Sequence, residues 1–236
     1  MALNGVSPCF ISAPFPVEDP TLWSGINRLQ SACLGMTLLD IEALFPIEEH
    51  FLTPREAAKA LRMGPRRQKC FTAARVSLKK LSRQLGLVDE NRLDRTIETL
   101  GPDGVRPCLA ESRLFCSVSH NVRFVVAVAH RQPIGVDLEV VSNKVLRACH
   151  LFMLPREKDL ISLSCLGPER TATRAWTTKE AAAKALGFHL FQAIREVEVV
   201  RVGEEEGMMR YQEKTYPVRH SERGGHVLTL ITCDDP

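Results

Sequence analysis

An α+β architecture follows from three features of the 236-residue sequence. Helical patterns come early: in residues 53–63 (TPREAAKALRM) Thr53 is an N-cap, Pro54 takes the first helical position and Glu56 completes a capping box. Strand patterns follow: 122–129 (VRFVVAVA) is β-branched and apolar almost throughout, and in 133–140 (PIGVDLEV) Val136, Leu138 and Val140 alternate with Asp137 and Glu139. Charge is segregated by half. Ten Lys or Arg residues against one acid, Glu56, occupy 54–83, whereas the clustered carboxylates come after Pro133, so a ligand using both must bridge the halves.

Residues 1–20 hold four prolines and offer at most an edge strand around 9–12. They lack a basic n-region and a continuous apolar h-region, so no signal peptide is expected. No run of about 18 apolar residues suits a membrane, and the cytoplasm is the expected location. A net charge of +3 and a pI near 8.4 give no reason to expect nucleic acid as a partner. The eight cysteines form no C-x-x-C pair and no zinc spacing, and read as reduced core thiols. From Thr37 the pattern turns helical in places, through LLDIEALFPIEEHF.

The next helix starts at Pro65 and stops at Gly86, with Phe71, Ala74, Leu78, Leu81 and Leu85 as a stripe for packing on a sheet. Arg67 projects from the head of that stripe and Arg75 flanks it, where a guanidinium requires an anionic partner. Residues 89–100 show no clear period, and 101–107 (GPDGVRP, with Arg106) is turn chemistry. Ser119 and His120 precede the strand 122–129, which a turn at HRQP links to the strand of Asp137.

The stretch 133–187 organises the rest. Asp137 and Glu139 leave one strand face, with Gly135 making room before them. In WTTKEAAAKALG, Trp176, Glu180 and Lys184 recur every four residues on one helix face, and Lys179 falls on the Ala/Leu side, where it must snorkel or meet a phosphate. Thr171 or Thr173 is the expected cap and Gly187 the C′ residue. Taken singly, Asp-x-Glu is an ordinary solvated strand end and Glu180/Lys184 an ordinary surface pair. Taken together, close carboxylates repel unless a hard divalent ion joins them, and magnesium on a substrate phosphate suits oxygen ligands. Residues 143–152 look helical. Two late strands, 195–202 and 227–233, are separated by the acidic turn GEEEG.

GVDLE and WTTKEAAAKALG, preceded by SVSHNVRFVVAVAH, resemble the signature motifs of the 4′-phosphopantetheinyl transferases, in the right order and with every fixed position filled. The resemblance runs from about Leu44 to Cys233 and is similar to the surfactin-type and enterobactin-type two-lobed enzymes. It implies two pseudo-symmetric lobes, each an antiparallel sheet packed with helices, with the site in the cleft. Residues 1–132 would form the lobe that binds coenzyme A phosphates and 133–236 the magnesium-binding, catalytic lobe.

The resemblance further implies transfer of 4′-phosphopantetheine from coenzyme A to a serine of an acyl or peptidyl carrier protein, by a monomer that uses Mg2+ or Mn2+. It assigns coenzyme A contacts to Arg67 and Arg75 (R-x3-F-x3-R, with Ala74 where the family has Gly), to Arg106 in place of the family's Lys, and to Ser119 and His120. Asp137, Glu139 and Glu180 would hold the metal, Glu180 would also act as general base, and Lys179 and Lys184 would meet phosphate oxygens. LPREKD at 154–159 resembles a helix start that touches the protein partner or frames the lobe. Two alternatives stay open: a magnesium-dependent hydrolase of coenzyme A, and an inactive carrier-binding module.

Overall fold

The computed structural model describes residues 23–45, 51–110 and 112–233. The expected edge strand at 9–12 and some of the stretch 38–51 lie outside them. Within them the chain is α+β, with one three-stranded and one five-stranded antiparallel sheet.

Helix α1 (Ile26–Ser31) leads into β1 (Gly35–Asp40), then α2 (Pro54–Ala60) and α3 (Pro65–Gln84). The Thr53 capping box forms as expected, its side chain accepting from Glu56 N while Glu56 accepts from Thr53 N. Strands β2 (Phe115–His120) and β3 (Phe124–His130) complete the first sheet in the order β1-β3-β2. α3 covers it, setting Leu78 and Leu81 against Ala127 and Ala129.

The second half opens with β4 (Ile134–Val140), followed by short helices α4 (Asn143–Arg147), α5 (Cys149–Phe152) and α6 (Asp159–Leu163). The long helix α7 (Pro168–Leu186), helix α8 (Leu190–Glu196) and strands β5 (Val197–Arg201), β6 (Glu206–Tyr211), β7 (Lys214–Arg223) and β8 (His226–Thr232) complete it. Their sheet runs β4-β8-β7-β6-β5. α7 lies on it through an alanine face, Ala181, Ala182 and Ala185, packed with Val218 and Ile231. The sheets are not independent bodies: Met36, Leu38, Phe124 and Val126 of the first share a core with Val136, Leu138 and Leu228 of the second.

Several expectations are corrected. The stretch from Thr37 begins as strand β1, with a single 3-10 turn at Glu42–Leu44. It is buried on both faces, and such a short apolar run carries no periodicity that separates helix from strand. Ser119 and His120 belong to a strand of their own, β2. α7 starts earlier than expected, after Gly167 at φ 82°, so Thr171 and Thr173 sit inside the helix and their hydroxyls return to Gly167 O and Glu169 O, each at 2.8 Å. Gly187 does end α7, at φ 70°. Between the two late strands lie two more, β6 and β7. The acidic turn joins β5 to β6, and Arg28 of α1 pairs with Glu205 at 3.0 Å and with Glu206. Among the described residues no helix is long and apolar enough to cross a membrane.

Candidate active site

The site is built on one close approach. A Cβ on Gly135 would stand 1.8 Å from Ala181 O and 2.8 Å from Ala185 N, so only glycine lets α7 lie this near β4. That approach brings Glu180 and Lys184, one turn apart on α7, to Asp137. Asp137 is 4% exposed, and its Oδ1 accepts from Ser119 Oγ at 2.8 Å and from Lys184 Nζ at 2.8 Å. Lys184 also donates to Val136 O at 2.9 Å.

Val118, Ser119, His120, Asp137, Leu138, Glu139, Glu180 and Lys184 line one cavity of about 310 Å³. Six sequence-predicted site residues are thereby brought together: Ser119, His120, Asp137, Glu139, Glu180 and Lys184. Burial, then the charge of Asp137, to which it is hydrogen-bonded, pushes Glu180 up to about 7. Glu139 is also raised, chiefly by burial and further by Asp137, although Val140 N donates to it at 2.7 Å. His120 is lowered by burial and by Lys184.

Glu180 holds its proton more tightly in the folded protein than in the unfolded chain. The folded protein keeps this proton to about pH 7, while the unfolded chain releases it near 4.5. With no metal added, this group's contribution to stability is therefore full below pH 4.5 and declines as pH rises to about 7. Thermal melts across that window are expected to show a decline in the wild type that Glu180→Gln flattens.

The remaining candidates lie elsewhere. Arg67 is exposed and lines a second, basic cavity of about 540 Å³ with Arg55, Lys59 and Arg62, cations the sequence reading counted but did not single out. Arg55 is tied to the turn carbonyls Gly101 O (2.8 Å) and Pro102 O (3.0 Å), and Lys59 to Gly104 O. Arg106 projects from the same turn, loosely paired with Asp103 at 3.7 Å and 74% exposed. Arg75 is placed differently from the expectation. It is 4% exposed, donates to Thr99 O at 2.7 Å and stacks over Phe71 at 5.0 Å, an interior setting that holds its pKa below the usual range.

Lys179 is the clearest correction. It is fully buried and, instead of meeting a phosphate, pairs with Glu157 at 3.0 Å and donates to Val197 O at 2.8 Å. Glu157 in turn accepts from Leu154 N and Val199 N, each at 2.5 Å, so the LPREKD segment frames the lobe through this carboxylate. Lys179→Met strands a buried charge and is expected to cost roughly 3 to 5 kcal/mol. It should lower the melting temperature and leave coenzyme A affinity unchanged in the protein that remains folded. Lost affinity at an unchanged melting temperature would return Lys179 to the ligand.

The carboxylates offer oxygen donors to a hard divalent ion. Among the described residues no three His, Cys, Asp or Glu side chains form a ready cage, since Glu139 turns to its own strand's backbone. The hydrogen-bonded pair Asp137 and Glu180 nevertheless presents hard oxygens, and burial followed by the charge of Asp137 raises the Glu180 carboxyl. Magnesium is usually bound by one or two carboxylates plus substrate phosphates, and not by an all-protein cage, so the donor set fits.

One cavity of this α+β chain thus joins paired carboxylates to a lysine and an imidazole. Residues 133–231 match the model of the 4'-phosphopantetheinyl transferase superfamily, so this segment of the chain is similar to that superfamily. No curated protein matches the chain.

Proposed function

We propose that this protein transfers 4′-phosphopantetheine from coenzyme A to a serine hydroxyl of an apo carrier protein, releasing 3′,5′-ADP. The observation that carries the reading is the convergence of Asp137, Glu180, Lys184 and His120 on one cavity, contributed by β4, α7 and β2. Coenzyme A would span the chain, its nucleotide phosphates among Arg67, Arg62 and Arg106 in the N-terminal half and its diphosphate at the carboxylates of the C-terminal half. Ser119 has its one proton committed to Asp137, so His120 is the phosphate contact on β2.

Asp137 and Glu180, with Glu139 beside them, would hold Mg2+ or Mn2+, which when bound offsets charge on the diphosphate and the leaving group. The carrier serine oxygen attacks phosphorus, the bond to 3′,5′-ADP breaks, and the serine proton passes to Glu180. Burial and the charge of Asp137 raise the Glu180 carboxyl and so favour its taking a proton, as a general base must. Lys184 donates to an oxygen of the transferred phosphate, aligned by its contacts to Val136 O and Asp137.

Product analysis separates this reading from hydrolysis of coenzyme A. Release of 3′,5′-ADP is expected only when apo carrier protein is present, with phosphopantetheine recovered on the carrier. Free phosphopantetheine formed without any carrier would favour the hydrolase, and no turnover with any carrier would favour a binding module.

A further inference from the structure

Two sheet edges meet beneath the carboxylates without forming a ladder. β4 is the end strand of the five-stranded sheet and β2 an end strand of the three-stranded one, and the two are not paired through their backbones. β4 is antiparallel to β8, with Val136 opposite Leu230 and Leu138 opposite Leu228. The amides of Val136 and Leu138 point the other way, toward β2. An edge buried in this manner needs partners for its N–H and C=O groups, because each one left unmade costs its full desolvation.

Side chains supply them. Val136 N donates to Ser117 Oγ at 3.1 Å, Leu138 N donates to Ser119 Oγ at 3.3 Å, and Val136 O accepts from Lys184 Nζ at 2.9 Å. Both serines are buried, at 3% and 7% exposure. They stand two apart on β2, hence on the same side of the strand, and match the two-residue repeat of outward amides on β4. Ser119 Oγ in turn donates a hydrogen bond to Asp137 Oδ1 at 2.8 Å.

We infer that Ser117 and Ser119 are positioning residues, a pair of hydroxyls that joins the two sheets edge to edge and sets the carboxylate strand in register with the strand of His120. Ser119 orients Asp137 directly. Ser117 is not among the residues that line the cavity and acts only through the backbone of Val136. A serine serves here because its oxygen accepts one backbone proton without extending the ladder, which leaves β4 free to turn Asp137 and Glu139 toward the cavity. The register itself rests on geometry alone, while its catalytic consequence rests on the transfer reaction proposed above.

Residue-resolved amide hydrogen exchange, read beside single-turnover transfer, tests the joint. In the wild type both amides are expected to be protected although, among the described residues, no strand pairs with them. Ser117→Ala should speed exchange at Val136 by roughly tenfold while Leu138 stays protected, and Ser119→Ala should do the reverse. Ser117→Ala should also slow transfer at saturating coenzyme A and magnesium without changing coenzyme A affinity, and Ser117→Thr, which keeps the hydroxyl, should restore both rate and protection. Unprotected wild-type amides, or unchanged exchange at Val136 in Ser117→Ala, overturn the joint. Faster exchange with an unchanged transfer rate overturns the positioning role. If the wild type transfers nothing, the functional reading fails while the exchange pattern still decides the joint.

Discussion

Glu180→Gln is expected to bind coenzyme A with near wild-type affinity and to lose transfer by ~10² to 10⁴ fold, the usual contribution of a positioned general base. Glutamine keeps the size and one oxygen acceptor but takes no proton. Binding survives because Arg67, Arg62 and His120 are untouched and lie outside α7. Asp137→Asn is expected to behave differently. Asp137 carries the hydrogen bonds from Ser119 and Lys184, so its loss disturbs the cavity as a unit and weakens the metal, and some of the activity should return as magnesium is raised. Magnesium titrations of single-turnover transfer on the two variants check this. Full recovery of Glu180→Gln at high magnesium would reduce its role to that of a ligand.

Gly135→Ala is expected to be nearly as damaging, by a steric route. The added methyl meets the backbone of Ala181 and Ala185, which cannot rotate aside as a side chain would, so α7 must move off β4. Overpacking of this kind costs about 1 to 3 kcal/mol of stability. The functional loss is larger, because a displacement near 1 Å of groups that must align is enough for ~10² fold. A modest fall in melting temperature with a severe loss of transfer is the expected pair of results. Retained transfer would mean that the contact between α7 and β4 does not set the geometry of Glu180 and Lys184.

Much of this arrangement could be read from spacing. The alternation around Asp137 and the four-residue repeat of Glu180 and Lys184 each specify a face, and both faces line the cavity. Gly135 was legible as room made for something, though not that the something was a helix backbone. The misreadings share a cause in partners distant along the chain. Lys179 and Glu157 are 22 positions apart, and no local pattern announces that pair. Arg75 looked available for an anion because the carbonyl of Thr99, 24 positions away, could not be foreseen. Strands β6 and β7 hide behind charge and Pro217, although Tyr216, Val218 and His220 do alternate toward the interior. Ser117 left a faint trace, an S-x-S repeat ahead of a strand that bears carboxylates, whose meaning depends on two edges meeting.

The most direct measurement of the central claim is the intact mass of a panel of apo carrier proteins after incubation with coenzyme A and this protein, with magnesium and with excess chelator. The account predicts that at least one carrier gains the phosphopantetheine mass on its serine with magnesium and none does so in chelator, with Asp137→Asn strongly impaired. Full modification in excess chelator would contradict the carboxylate metal site and return Asp137 and Glu139 to ordinary strand-end residues.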